Sequence, residues 1–171
     1  MSEKNSTDSP VTFIKGLELS ARFFDEAIKP IIASELPELR YAAALIGEGS
    51  EVLGYDTEMS ADHDWGPRAK IFLRDSDVEK FAETIRRTLS EKLPRSFCNY
   101  PTNFSQTSGD KTKWIDYVGD GPINHRVEFS SLREFFLDYL SLDLEKEIEA
   151  ADWLTLSEQK LATVAGGRIF H

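Results

Sequence analysis

The sequence predicts a mixed α/β domain of the α+β kind, in which a small mixed sheet packs against flanking helices. Three observations predict it. Apolar spacing alternates along the chain in the order helix, strand, strand, helix, hairpin, helix, helix. The 171 residues suit one domain rather than two. Hydrophobic residues make up 40% and charged residues 29%, a balance that excludes collagen, coiled coil and wholesale disorder.

Residues 1–10 are rich in Ser, Asp and Asn and are expected to form a flexible N-terminus, with the domain over 11–171. From Gly16, Leu19, Phe23, Phe24, Ala27, Ile28, Ile31 and Ile32 recur at helical spacing, so a helix starts there, bent or interrupted near Pro30. Tyr41 to Ile46 has the length of a buried strand and is followed by glycines. Asp64 to Leu73 reads as a second strand, with Gly66-Pro67 forcing a bulge or an edge position. Ser76 and Asp77 open a helix whose apolar positions are Val78, Phe81, Ile85, Leu89 and Leu93, and Pro94 stops it. Residues 96–110 read as a polar loop. Lys113–Val118 and Ile123–Ser130 read as a hairpin across Gly119-Asp120-Gly121-Pro122. Ser131 opens a helix to Leu140. A last helix runs from Thr155 to Ala165, with Thr155 and Glu158 spaced as a capping box and Gly166-Gly167 as its stop.

The charge balance narrows the function. Thirty Asp and Glu against 20 Lys and Arg give a formal charge of −10. Such a surface repels phosphate backbones, so general nucleic-acid binding is not expected, whereas a local basic pocket for one phosphate group is compatible with it. Cys98 is the sole cysteine, which excludes an intrachain disulfide and a zinc site built on cysteine pairs. No apolar run approaches the roughly 20 residues that cross a bilayer, and residues 1–10 carry no apolar signal core. No membrane association is expected, and a reducing cytoplasm is the expected compartment.

The informative stretch runs from Gly47 to Trp65. A strand ends in Gly47-Glu48-Gly49-Ser50, and Asp62 and Asp64 follow one residue apart. Glycines let the backbone approach an anion, and exposed N–H groups with a serine hydroxyl can hold phosphate oxygens. On a strand, Asp62 and Asp64 would share one face, where their repulsion is relieved by a divalent ion such as Mg²⁺. Arg68 and Lys70 follow on the same strand. They either neutralise a triphosphate or pair with the surplus acids, and Arg126 has the same two readings. His63 would be turned to the opposite face and packed, and His125 is given no catalytic role.

This stretch resembles the signature of the nucleotidyltransferase superfamily related to DNA polymerase β, an apolar-Gly-Ser turn followed about ten residues later by Asp-x-Asp. Gly54 resembles the second glycine of the minimal nucleotidyltransferase form. His63 departs from the apolar residue usual there, and Glu48 stands where that pattern tolerates an apolar residue. GLELS at 16–20, the run from Tyr41 to Arg68, HRVEF at 125–129 and AADWLT at 150–155 resemble the uncharacterised family known as domain of unknown function 4037. That resemblance covers nearly the whole chain, and Asp62-His63-Asp64-Trp65-Gly66-Pro67-Arg68 is its most specific part.

The resemblance implies a nucleotidyltransferase-like fold and transfer of a nucleoside monophosphate from a nucleoside triphosphate such as ATP to a hydroxyl acceptor, a small molecule or a protein, with two Mg²⁺. It implies a third carboxylate on a later strand. Glu128 is favoured over Asp116 because it lies in the family-like stretch and precedes a helix. Asp62, Asp64 and Glu128 would then be the catalytic, metal-holding residues, and Gly49, Ser50, Gly54, Arg68 and Lys70 the nucleotide-binding ones. The alternative is a regulatory, antitoxin-like interaction domain on the same fold. Family members continue with a helical half. Ile169 and Phe170, directly after a glycine stop, are therefore expected to form an exposed apolar patch with the last helix, covered by a second copy, another chain or a missing half.

Overall fold

The computed structural model describes residues 13–60, 65–106, 113–116 and 119–171. Helix α1 (Gly16–Phe23) begins at the glycine where apolar periodicity begins. It runs through a π-helical turn, Phe24–Ile28, into α2 (Lys29–Glu35), which has Pro30 in its first turn. The interruption expected near Pro30 thus falls just before it. A proline lacks the N–H that an interior helical position must donate, and the first turn is where that absence costs least.

Strand β1 (Ala42–Leu45) follows as read. Strand β2 (Arg68–Leu73) is shorter than the Asp64–Leu73 expected. Gly66, at φ +140°, lies before the strand and turns the chain into it, so Gly66-Pro67 is an entry and not a bulge. Helix α3 (Asp75–Lys92) ends ahead of Pro94.

The stretch read as a polar loop contains three short strands. β3 (Ser96–Phe97) and β4 (Tyr100–Pro101) form a hairpin around Cys98 and Asn99, both with positive φ (51° and 68°). Two left-handed residues are what the tightest hairpin turn requires. β5 (Asn103–Gln106) then pairs antiparallel with β6 (Lys113–Asp116).

That pairing overturns the hairpin expected between 113–118 and 123–130. β7 (Arg126–Ser131) instead runs parallel to β2, with Lys70 opposite Glu128. Parallel neighbours need a long crossover, which α3 and the β3–β6 segment supply.

Helix α4 (Leu132–Leu140) starts at Ser131, where a reciprocal capping box with Glu134 is formed. The helix expected over 155–165 is α6 (Glu158–Ala165), and a further short helix precedes it. α5 (Ala150–Thr155) buries none of its residues and leaves Trp153 and Leu154 51% and 87% exposed. α6 is capped by the Ser157 hydroxyl, which accepts from the Lys160 N–H, so the expected Thr155–Glu158 capping box is replaced by a cap two residues further on.

The tail is an element after all. β8 (Arg168–Phe170) pairs antiparallel with β1 and completes a sheet of order β7-β2-β1-β8. Phe170 is buried and stacks on Phe24 at 5.4 Å between ring centroids, which removes it from the exposed patch expected there. Ile169 alone of that pair faces out, at 64% exposure. Among the described residues no helix is long and apolar enough to cross a membrane.

Side-chain alternation divides the sheet. One face sends Ala43, Leu45, Ala69, Ile71, Leu73 and Val127 into the main core with Phe23 and Ile28 on one side and Ile85 and Leu89 of α3 on the other. The second face has Ala44 and Phe72 under Phe135 of α4, with Tyr139 and Val164 beside them. On the same parity as Phe72, two and four residues back along β2, stand Lys70 and Arg68, and across from them Glu128 and Arg126 of β7. The second face is therefore half apolar and helix-covered, half charged.

Candidate functional site

The charged half of that face borders a cleft of about 340 Å³, lined by Glu48, Arg68, Lys70, Arg126, Glu128, Phe135, Asp138 and Tyr139 among others. A cavity of about 410 Å³ lies elsewhere, between the end of α4 and α5–α6. The smaller cleft is the one that gathers the residues singled out by sequence, because parallel pairing of β2 and β7 puts their same-parity positions side by side.

At one corner, the loop after β1 is fastened down by a buried ion pair. Arg68 is 7% and Glu51 3% exposed in their side chains. The Arg68 Nε donates to Glu51 Oε1 at 2.6 Å, and its Nη2 donates to the Glu48 carbonyl. A Cβ at Gly49, whose φ is +130°, would collide with this guanidinium and with the Glu51 carboxylate. The close approach that makes Gly49 a glycine is thus made to its own chain. Ser50 is exposed at the start of a single 3-10 turn, Ser50–Leu53, and Gly54 closes that turn in the left-handed region at φ +74° with open space around it.

At the next position along β2, Lys70 forms an ion pair with Glu128. Its ammonium also lies 5.6 Å from the centroid of the Phe135 ring. Partial burial works to raise the Glu128 pKa. The adjoining Lys70 ammonium, with the Arg68 and Arg126 guanidiniums behind it, outweighs this and holds the carboxyl below its ordinary value. Glu128 is therefore ionised, half exposed and aimed at the cleft.

A second buried acid, Asp56, is 1% exposed and sits at the head of α1. Its Oδ2 accepts from the Gly16 N–H at 2.6 Å and from the Trp65 Nε1 at 3.2 Å, while Lys15 donates to its carbonyl. A carboxylate on the first free N–H of a helix is favoured by hydrogen bond and helix dipole alike. Asp56 and Trp65 so hold together the two sides of the segment 57–64.

Asp62, Asp64 and His63 lie outside the described residues. The described chain resumes at Trp65, three residues before Arg68. Of the other residues singled out, Arg68, Lys70, Arg126 and Glu128 come together at the cleft. Gly49 abuts Arg68 and Glu51. Asp116 is on β6, in the separate two-stranded ribbon, opposite Asn103. Among the described residues there is no group of three or more His, Cys, Asp and Glu placed to hold a metal ion. His125 is spent on structure: its Nδ1 accepts from the Val127 N–H at 3.1 Å and its Nε2 faces the Arg86 carbonyl at 3.0 Å.

Glu51 and Asp56 escaped the sequence reading. Each is one more acid in a Gly-, Ser- and acid-rich stretch, and only the partner's position in space separates it from a solvated one. No protein-family model, curated protein or solved structure matches the chain.

Proposed function

We propose that the cleft binds a nucleoside triphosphate and that the protein transfers its nucleotidyl group to a hydroxyl acceptor in a Mg²⁺-dependent reaction. The observation that carries the reading is the in-register placement of Lys70 and Glu128 on parallel strands, beside the Arg68-anchored loop that ends β1. A cation for phosphate and a carboxylate for a divalent ion stand at one place, and the Asp62-x-Asp64 pair is four residues up the chain from β2.

The donor set suits Mg²⁺. Glu128 offers a half-exposed oxygen at a point already occupied by a positive charge, and Asp62 and Asp64 would supply the further hard oxygen ligands that the sequence pattern suggests. When bound, the metal supplies charge neutralisation at the phosphates and lowers the pKa of the acceptor hydroxyl. The chain's own residues do the rest. Lys70 holds phosphate oxygens. The Gly47–Gly54 loop, held in shape by Glu51 and Arg68, would present the exposed Ser50 hydroxyl and the Gly49 and Ser50 N–H groups to the terminal phosphates. The acceptor oxygen then bonds to the α-phosphorus as the bond to pyrophosphate breaks, with positioning and charge compensation lowering the barrier.

Calorimetric titration with each of the four ribonucleoside triphosphates, with and without Mg²⁺, tests this. One of them should bind in a Mg²⁺-dependent way, and Asp64→Asn should abolish that binding while the melting temperature holds or rises. Mg²⁺-dependent binding that survives Asp64→Asn intact would sink the reading.

One observation favours a second reading, a regulatory or interaction domain on this fold: α5 exposes Trp153 and Leu154 and buries nothing. Paired or partner-bound protein in sedimentation, with no nucleotide binding, would select it.

A further inference from the structure

We propose that Lys70 is the built-in counter-ion of Glu128, and that exchange of partners at this pair makes divalent-cation binding and polyphosphate binding in the cleft depend on each other. The inference deepens the nucleotidyl-transfer reading and rests on it.

The two residues are direct neighbours across β2 and β7, and no backbone movement is needed for them to meet. Lys70 is the more enclosed partner, with its side chain 19% exposed against 52% for Glu128. The Phe135 ring lies against its ammonium, and its stem passes under Gly47, where a Cβ would stand 3.8 Å from the Lys70 Cε. The ring and the loop enclose the Lys70 stem, and its ammonium meets the cleft beside Glu128. Glu128 is its contact anion.

A divalent cation arriving alone at Glu128 must displace Lys70 and leave an enclosed ammonium without its carboxylate. A polyphosphate arriving alone at Lys70 must strip Glu128 of its contact cation and set two anions side by side. Either ligand alone meets a charge left uncompensated in a partly buried place. When both arrive, Glu128 passes to the cation, Lys70 passes to the phosphate, and every charge keeps a partner. A penalty on one ligand that the other removes is a coupling free energy, and it is reciprocal. Direct contact between a metal and a phosphate couples the two ligands at any such site. The part that belongs to Lys70 is separable, because it shows with the metal alone.

Mn²⁺ is the probe, followed by electron paramagnetic resonance on the 171-residue chain without nucleotide. The proteins are wild type, Lys70→Met, Glu128→Gln and the double variant, each first shown folded by thermal melting. Lys70→Met should bind Mn²⁺ alone about tenfold more tightly than wild type, and that gain should vanish in the double variant. Binding of ATP without metal should fall about tenfold in Lys70→Met. Lys70→Gln, which keeps most of the stem and loses the charge, should show the same gain and serves if the methionine variant does not fold. A residue that merely braced the strands would on removal weaken Mn²⁺ binding or leave it unchanged. That result, in a chain whose wild type binds Mn²⁺ with ATP, overturns the exchange and leaves the transfer reading standing. A wild-type chain that binds neither Mn²⁺ nor Mn²⁺ with ATP overturns both.

Discussion

Arg68 keeps its charge inside the protein because Glu51 keeps one beside it, and the pair fixes the shape of the loop over the cleft. Removing one partner of such a pair leaves a buried charge uncompensated. Glu51→Gln should therefore destabilise the fold by about 3–5 kcal/mol, measured by urea unfolding. Replacing both residues by methionine should cost less than either single change, since apolar groups of similar volume demand no counter-charge. His125 makes a second residue-level prediction. Burial lowers its pKa below the ordinary 6.5, and the positive Arg86 side chain adds to that while the bond to the Arg86 carbonyl opposes it. The folded state so binds fewer protons than the unfolded one. Stability is fully present above about pH 6.5 and declines as pH falls from there through the folded pKa. Melting temperatures measured between about pH 8 and pH 5 should show that decline in wild type, and His125→Gln should flatten it. Gly49 marks where residue-level reading stopped. Its sequence context said that something approaches the backbone closely there. That the visitor is Arg68, from 19 positions further along the chain, is a fact of the folded state.

Elements bounded by their own local chemistry were legible, and those bounded by distant partners were not. Ser131 and Glu134 make each other's hydrogen bonds within one turn, so the start of α4 could be read from four residues. Ser131→Ala should destabilise the protein by about 1 kcal/mol in thermal or chemical unfolding, with the rest of the fold kept. The end of α3 before Pro94 and the break around Pro30 were legible for the same reason. β7 was not. Its alternating pattern says strand, but the nearest strand-like run and a Gly-rich turn suggested a hairpin, and the pattern carries no information about which strand lies alongside. The partner is β2, and parallel pairing follows from the crossover through α3. β8 is three residues after two glycines, too short for any periodicity, and it exists because β1 has an edge for it. β3 to β5 were hidden by their brevity and by Cys98 in a left-handed turn position, which few side chains adopt.

At the scale of the molecule, the mixed α+β architecture was legible and its strand order β7-β2-β1-β8 was not. The candidate site was half legible. Lys70, Arg68 and Glu128 could be placed on strands by counting in twos, which is why the cleft residues appear in the sequence reading at all. That Arg68 is consumed by Glu51 while Lys70 faces Glu128 depends on what lies above each strand position, a loop in one case and an aromatic ring in the other. The seat of β8 has a consequence for biosynthesis. A ribosome makes β1 early and Arg168–Phe170 after the other described strands, so the nascent chain carries β1 with one hydrogen-bonding edge bare while residues 46–167 are made. The sheet cannot close, and Phe170 cannot cover Phe24, until Arg168–Phe170 clear the exit tunnel. During that interval the bare edge is open to pairing with neighbouring nascent chains.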